Sequence, residues 1–240
     1  IEKQKKRTDL PSLVVAPTSL MHNWQQEAAQ FLPSLKVLCL HGPLRNKLYK
    51  EIENYDLVLT TYALLIRDKD QLLSQKFHYV ILDEAQFIKN AKSKTKAIAQ
   101  QIHARHRLCL TGTPMENHLG ELWALFDFLM PGLLAEEQSF KRLFRTPIEK
   151  HANLDRQTRL NQRISPFLLR RLKDTVAKEL PPKSEIVRVA SFAGDQQDLY
   201  ETIRLAMHEK VRHVIRSKGL NRSHIEILEA LLKLRQVCCD

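Results

Sequence analysis

The chain has 240 residues, of which 43% are hydrophobic, enough to bury one substantial core and a smaller helical unit. No apolar run approaches the roughly twenty residues that a membrane-spanning helix needs, and the first residues lack the apolar segment of a signal peptide. We therefore expect an intracellular protein with no membrane partner. The 38 Lys and Arg residues against 27 Asp and Glu give a net charge of +11. This charge favours a polyanionic partner such as nucleic acid, unless it serves only to keep the protein in solution.

Five short apolar runs predict β-strands, and segments with helical periodicity lie between them. The predicted strands are residues 13–16, 36–40, 57–60, 79–82 and 107–111. The clearest intervening helical patterns cover residues 20–31 and 92–103. Strands that alternate with helices predict right-handed crossovers and a parallel sheet with helices on both faces, which is an α/β fold.

Helical patterns replace strand patterns from about residue 117 onward. An apolar stripe predicts a helix that ends at Pro131 and Gly132, and we interpret its side chains as core: Leu119, Leu122, Trp123, Leu125, Phe126 and Leu129. Helices are also predicted over 148–178 and 196–216, and residues 185–190 alternate like a strand.

Polar turns follow four of the predicted strands, at the edge where ligands collect in parallel sheets. Each turn alone has an ordinary explanation, such as a helix-capping acid or the backbone preferences of Thr, Gly and Pro. Their repetition favours a ligand site. The residues are Pro17, Thr18 and Ser19; Thr60, Thr61 and Tyr62; Asp83, Glu84 and Gln86; and Thr111, Gly112 and Thr113.

The two acids at the end of the fourth strand suit magnesium–nucleotide chemistry. One carboxylate can hold Mg²⁺, while the other orients and deprotonates the water that attacks a γ-phosphate. We predict Asp83 as the metal-side acid and Glu84 as the base. The sequence therefore points to an ATPase that uses ATP and Mg²⁺.

With these turns in place, the chain resembles the Swi/Snf-type branch of the superfamily-two helicase-like ATPases, which are double-stranded-DNA translocases. Residues 15–20 with Trp24 resemble motif Ia of that family, and residues 59–62 resemble motif Ib. Residues 83–86 and 110–117 resemble motifs II and III. Three further segments resemble ones typical of this branch: 166–173, 179–183 and 234–238. Many members carry His where this chain has Gln86.

The resemblance implies a RecA-like lobe at residues 1–116, a helical protrusion at 117–180 and the start of a second lobe at 181–240. It implies that ATP sits between two lobes and that Gln86 links the state of the γ-phosphate to Thr111 and Thr113, with Gly112 between them. Asp83, Glu84 and Gln86 would be the catalytic residues.

The resemblance also implies a DNA track. Pro17, Thr18 and Ser19 together with Thr60, Thr61 and Tyr62 would hold the phosphate backbone, which carries no sequence information. Arg170, Arg171 and Lys173 form a basic cluster that either touches DNA or faces water. An RNA polymerase or a nucleosome is the kind of DNA-bound complex such a motor acts on. The expected location is the nucleoid of a bacterial cell or the nucleus of a eukaryotic one.

One expected motif is missing. The family binds nucleotide phosphates with a loop ending in Gly-Lys-Thr or Gly-Lys-Ser, and none of the six glycines here is followed by lysine. We expect that loop upstream of residue 1 and the arginine fingers after residue 240, so that this chain is a fragment that is inactive alone.

Two other functions are compatible with the sequence. The first is a nucleic-acid-binding scaffold that hydrolyses nothing, which the retained Asp83 and Glu84 disfavour. The second is an RNA helicase, which the segments 166–173 and 179–183 disfavour because they resemble the duplex-DNA branch.

Overall fold

The computed structural model describes residues 9–176, 184–189, 191–192 and 194–239. The chain divides into two compact units, residues 1–170 and residues 171–240.

The first unit is built on one parallel sheet of five strands in the order β2-β3-β1-β4-β5. The strands are β1 Ser12–Ala16, β2 Val37–Cys39, β3 Leu57–Thr61, β4 Lys76–Asp83 and β5 His103–Leu110. Each lies at or within a few residues of a predicted strand, and the α/β class with a parallel sheet is confirmed.

Both faces of the central strand are buried, which explains why β1 reads as a continuous apolar run. Leu13 and Val15 belong to the core on one face of the sheet, and Val14 and Ala16 belong to the core on the other. All four are fully buried. Alternate side chains of a strand point to opposite faces, so helices must cover both sides of this sheet.

The helices of the first unit connect these strands and then continue beyond them. They are α1 Met21–Phe31, α2 Arg45–Leu48, α3 Tyr62–Arg67, α4 Lys69–Leu73, α5 Lys94–Gln101, α6 Leu119–Leu129, α7 Glu137–Phe140, α8 Thr146–His151 and α9 Leu154–Ile164. Short 3₁₀ segments cover Thr18–Leu20, Tyr49–Asn54, Ala85–Ile88 and Ser165–Phe167, and a π-helical turn covers Lys141–Arg145.

Helix α6 joins two cores. Leu125 and Phe128 pack into the core under the sheet, whereas Trp123 and Phe126 pack into a separate core. That second core also contains Leu134, Phe140, Phe144, Leu160 and Ile164. The prediction that the stripe of α6 forms core is confirmed, and the helical segment after the sheet rests on its own apolar cluster.

The second unit is helical over its described residues. It contains α10 Lys173–Val176, the long helix α11 Gly194–Lys218 and α12 His224–Cys239, with a 3₁₀ turn at Leu220–Arg222. Gln196 Nε2 donates to the Val237 carbonyl oxygen at 2.7 Å, and Lys210 pairs with Glu229 at 3.3 Å. Helices α11 and α12 therefore pack as an antiparallel pair.

The strand predicted over 185–190 is wrong for its described part. Residues 184–189 form no strand, and Ile186, Val187 and Val189 are at least 78% exposed. A strand needs a neighbour for its backbone hydrogen bonds, and among the described residues the sheet consists of β1 to β5. Ala190 and residues 177–183 lie outside the described residues.

Within the described ranges, no helix is both long enough and apolar enough to span a bilayer.

Candidate functional site

The predicted polar turns lie at one edge of the sheet. Strands β1, β3, β4 and β5 run parallel in adjacent positions, so their carboxyl ends meet there. Three of these ends are joined by side-chain hydrogen bonds, and the site is built from those bonds.

Asp83, the last residue of β4, has its carboxylate held by two donors. Oδ2 accepts a hydrogen bond from Trp24 Nε1 of α1 at 2.8 Å, and Oδ1 accepts from the backbone N–H of Glu84 at 3.0 Å. A carboxylate oxygen can accept more than one hydrogen bond or metal contact, so both oxygens keep accepting capacity. The side chain is oriented and half-buried.

Glu84 occupies a strained backbone conformation, with φ of 50° and ψ of 54°. This left-handed region costs a non-glycine residue roughly 1–2 kcal/mol, and such residues cluster at functional sites. Tyr62 supports the turn, because its hydroxyl donates to the Asp83 carbonyl oxygen at 2.7 Å and its ring stacks on Phe87 at 4.7 Å. Burial raises the pKa of Tyr62 first, with Cys109, Asp83 and Glu84 adding to it, so the hydroxyl keeps its proton and remains a donor.

A chain of hydrogen bonds runs from Glu84 to the turn after β5. Gln86 Nε2 donates to Glu84 Oε2 at 2.9 Å, and Thr111 Oγ1 donates to Gln86 Oε1 at 2.9 Å. Thr111 Oγ1 in turn accepts from the backbone N–H of Thr113 at 3.1 Å. Gln86 therefore contacts Thr111 directly and reaches Thr113 only through it, with Gly112 exposed between the two threonines.

The loop after β5 is anchored by Glu121, a residue for which the motifs predicted no role in the site. Glu121 Oε2 accepts from the backbone N–H groups of Glu116 at 2.7 Å and Asn117 at 3.0 Å, and Oε1 accepts from Asn117 Nδ2 at 2.8 Å. Its side chain is buried in the first turn of α6. The sequence signal for this role was the position of Glu121, a charged residue inside the apolar stripe of α6.

Hydrogen bonds govern the ionisation of Glu121. Burial by itself would raise the pKa of its carboxyl, but the bonds from Asn117 and from two backbone N–H groups outweigh burial and lower it to about 2. Lys89 lies 3.7 Å from Glu121 Oε1 and forms a second ion pair with Glu116, whose Oε1 accepts from Thr113 Oγ1 at 3.1 Å. The loop is thus fixed from both α6 and the turn after β4.

The donor set fits one Mg²⁺ ion held with a nucleotide rather than by the protein alone. In the described part of the chain, no group of three or more His, Cys, Asp or Glu residues could hold a metal. Mg²⁺ in nucleotide sites takes one or two carboxylates, with phosphate oxygens and water completing its coordination. Asp83, oriented and half-buried at the strand end, could supply one such carboxylate.

The residues predicted to hold DNA are placed in three different environments. Thr18 and Ser19 are exposed and Pro17 is half-buried, just after β1. Thr60, Thr61 and Tyr62 are all at most 6% exposed.

The hydroxyls of the two buried threonines differ in their partners. Thr61 Oγ1 accepts from the backbone N–H of Leu64 at 3.3 Å, and Thr60 Oγ1 is buried without a hydrogen-bond partner among the described residues. Arg170 and Arg171 are exposed, and the side chain of Lys173 lies outside the described part. A role for these positions in DNA contact stays a prediction.

Comparison with known proteins gives consistent results along the whole chain. The family model described as "SNF2-related domain" matches residues 1–240. The chain is 39% identical over 98% of its length to the "Putative ATP-dependent helicase/translocase YwqA" of Bacillus subtilis, and 35% identical over 95% to the "TATA-binding protein-associated factor MOT1" of Saccharomyces cerevisiae. It spans 26% and 13% of those proteins.

A solved structure agrees with both the fold and the sequence. The "Sulfolobus solfataricus SWI2/SNF2 ATPase core in complex with dsDNA" matches 98% of this chain with a TM-score of 0.67 and 37% identity. The match covers 49% of that solved chain. These findings confirm the Swi/Snf-type resemblance and the RecA-like fold class.

Proposed function

The chain belongs to the SNF2-related family, and from that premise we propose that it is part of the motor core of an ATP-dependent double-stranded-DNA translocase. The observation that carries the proposal is the hydrogen-bonded series Glu84, Gln86, Thr111, which joins the turn directly after β4 to the turn after β5. Through these hydrogen bonds, a change at the acids can be transmitted to the end of β5.

The chemical roles follow from the positions of the acids. Bound Mg²⁺ would neutralise charge on the phosphates of ATP, and Asp83 would hold it. Glu84 Oε1 has no hydrogen-bond partner among the described residues, so this oxygen can accept a proton from the attacking water while Gln86 holds Oε2. The left-handed backbone at Glu84 and the bond from Gln86 would together orient that carboxylate.

Gln86 would couple hydrolysis to movement. Its amide bonds Glu84 on one side and Thr111 on the other, so loss of either bond changes the position of the loop from Thr111 to Asn117. Glu121 and Lys89 hold the far end of that loop. A change at the nucleotide would therefore be passed to α6.

Double-stranded DNA is the proposed track. The support is the net charge of +11, the exposed Thr18 and Ser19 at the end of β1, and the dsDNA bound to the Sulfolobus ATPase core. Contacts to phosphates would hold DNA of any sequence. The target would be a DNA-bound complex such as an RNA polymerase or a nucleosome, at the nucleoid or in the nucleus.

We also propose that these 240 residues do not hydrolyse ATP by themselves. They contain no Gly-Lys-Thr or Gly-Lys-Ser sequence to hold the β- and γ-phosphates. Strand β5 has one neighbour among the described strands, so its other edge can accept a further strand. The proposed divisions are a first lobe to residue 116, a helical protrusion to 180 and the second lobe from 181. Steady ATP turnover by the purified 240-residue chain would contradict the proposal that it does not hydrolyse ATP by itself.

The test is ATP hydrolysis by a longer chain that also carries a phosphate-binding loop and a complete second lobe. Turnover is measured alone and with duplex DNA, single-stranded DNA or RNA. We expect strong stimulation by the duplex and a loss of roughly 10²–10⁴-fold in kcat for Glu84→Gln, the range for removal of a general base.

The matched control is Glu53→Gln, which removes an exposed carboxylate elsewhere in the same unit and should leave turnover unchanged. DNA binding without hydrolysis under all conditions would instead establish a scaffold. Preferential stimulation by RNA would establish an RNA helicase.

A further inference from the structure

A pocket outside the strand-end site is lined by three arginines. It lies between the π-helical turn and α9, has a volume of about 430 Å³ and is lined by Leu143, Phe144, Arg156, Arg159, Gln162 and Arg163. None of these residues belongs to the motifs from which the function was proposed. Its charge therefore calls for a separate explanation.

The three arginines form one row along α9. Arg156, Arg159 and Arg163 are three and four residues apart, which places them as neighbours on one face of a helix. At a rise of 1.5 Å per residue they extend over about 10 Å of the helix axis. Arg163 is stacked over the ring of Phe144 at 5.6 Å, which limits the positions of its guanidinium group.

The positive charge of this row is not neutralised within the described residues. Among the side chains that the structure describes, no Asp or Glu forms an ion pair with the three arginines, and the nearby Glu149 is already paired with Arg145 at 3.0 Å. Residues 137–164 contain seven Lys and Arg against three Asp and Glu. The surface therefore fits a polyanion.

The other groups of the pocket indicate which polyanion. Its lining offers arginine donors and a single amide, Gln162, as the only side-chain acceptor. A phosphodiester backbone presents acceptors alone and satisfies such a surface, whereas a bound peptide would bring N–H donors that need acceptors of their own. The one aromatic ring, Phe144, is 5% exposed, so bases have no face on which to stack.

We propose that the row Arg156, Arg159 and Arg163 binds the phosphate backbone of duplex DNA, as a contact surface separate from the strand ends. Each strand of a duplex carries one phosphate per about 3.4 Å of axis, so a 10 Å row can meet about three phosphates. The inference rests on duplex DNA being the track of the proposed motor. It adds a contact on the helical segment that would keep DNA bound while the strand-end contacts change.

The experiment is the salt dependence of duplex binding by the 240-residue chain. A fluorescently labelled 30-base-pair duplex is titrated at several salt concentrations, with the triple variant R156Q/R159Q/R163Q beside the native chain. Each lost phosphate contact lowers the magnitude of the slope of log K against log [salt] by about 0.9, so the variant should lose up to about 2.7.

The matched control is K47Q/K50Q/R105Q, which removes the same charge from exposed positions that have no ion pair among the described residues. This control should keep nearly the native slope. An equal loss in both variants would overturn the proposal, because it would show a general effect of net charge. The variant R156K/R159K/R163K keeps the charge and should keep the slope.

Folding is checked by thermal unfolding of each variant. If the triple variant unfolds, the single variant Arg159→Gln, at an exposed position, should still lower the slope by about 0.9. An unchanged slope in that case would overturn the proposal. A labelled 12-residue polyglutamate peptide is the second probe. If the arginine variant loses peptide binding but keeps the native DNA slope, the pocket binds an acidic protein segment and the proposal is wrong.

The outcomes separate this inference from the proposed function. Native DNA binding with an unchanged slope in the arginine variant contradicts only the surface on α9. Absence of duplex binding by the native chain contradicts the inference, while duplex-stimulated hydrolysis by the longer chain would still support the motor.

Discussion

Two hydrogen-bond networks in the first unit use carboxylates in opposite ways. Asp68, the residue after α3, accepts two bonds from Arg45, at 2.6 and 2.9 Å, and one from the Tyr49 hydroxyl at 2.9 Å. Arg45 also donates to the Gly42 carbonyl oxygen. The side chains of Arg45 and Asp68 are 13% and 6% exposed. We call this the closed network.

The strand-end network is more open. Asp83 and Glu84 are half-buried, each accepts few bonds, and Glu84 Oε1 has no partner among the described residues. Buried charge stabilises only when its groups are matched, whereas a site that binds a ligand must leave acceptors available. The closed network therefore serves stability, whereas the open one leaves acceptor oxygens available for a ligand.

The largest expected effect is in the closed network. Asp68→Asn removes the charge that neutralises buried Arg45, and we expect a loss of about 3 kcal/mol in the free energy of unfolding. Asp70→Asn is the control, because Asp70 is 89% exposed and lies 4.0 Å from Lys69. Surface pairs of that kind contribute about 0–1 kcal/mol. Equal losses in urea unfolding of the two variants would show that the closed network does not stabilise the fold more than a surface pair does.

The closed network also predicts a pH dependence. The hydrogen bonds from Arg45, which outweigh burial, lower the pKa of Asp68 in the folded state. The stabilisation is therefore complete above the unfolded pKa and is lost as pH falls through the folded value. Asp68→Asn should flatten the acid side of the stability profile, and an unchanged profile would contradict the pairing.

The second prediction concerns Glu121. Its carboxylate is buried and fully hydrogen-bonded, as in the closed network, although it borders the strand-end site. Glu121→Gln loses the carboxylate that accepts from two backbone N–H groups, and we expect a loss of about 2 kcal/mol. Since the folded pKa is about 2 against an ordinary 4.5, native stability should fall as pH drops from about 4.5 to about 2. The stability of the Glu121→Gln variant should not decrease by this amount over the same pH range.

Chemical unfolding at several pH values checks this prediction. Glu137→Gln, at an exposed position of α7, is the control and should follow the native curve. If Glu121→Gln follows it as well, the loop is not held by Glu121.

A smaller effect is expected at Trp24. Trp24→Phe removes the donor to Asp83 Oδ2 while keeping an aromatic side chain. A hydrogen bond to a charged group contributes about 1.5–3 kcal/mol, and because Asp83 is only half-buried we expect the lower value. No change in unfolding free energy would show that water replaces this donor without cost.

The smallest effect compares two substitutions of the strained residue. Glu84→Ala and Glu84→Gly both remove the carboxylate, but only glycine adopts φ of 50° without steric cost. We expect Glu84→Gly to be more stable than Glu84→Ala by about 1 kcal/mol. Equal stabilities in paired unfolding experiments would mean that the turn relaxes when the side chain is lost.

Several elements could be predicted because their patterns are local. The apolar runs of β1, β3 and β4 and the stripe of α6 correspond to observed elements, since burial on two faces or one requires those patterns. The strand expected at 185–190 failed because alternation of side chains does not supply a neighbouring strand.

The contacts of the site were less predictable. Trp24 and Asp83 are 59 positions apart in the sequence, and outside the site Lys96 of α5 and Asp127 of α6 form an ion pair across 31 positions. Such pairs depend on where the sheet places helices α1, α5 and α6. Nor does any local preference assign φ of 50° to a glutamate.

The residue pattern alone was enough to predict the five strands in chain order, the polar turns at the strand ends and the family to which the chain belongs. Each of these depends on residue types a few positions apart, and such local patterns can be recognised in the sequence. Three features required the folded chain: Gln86 bonds both Glu84 and Thr111, Glu121 anchors the loop, and Thr60 and Thr61 are buried. These features depend on contacts between segments that are far apart in the sequence, and packing around the sheet brings those segments together.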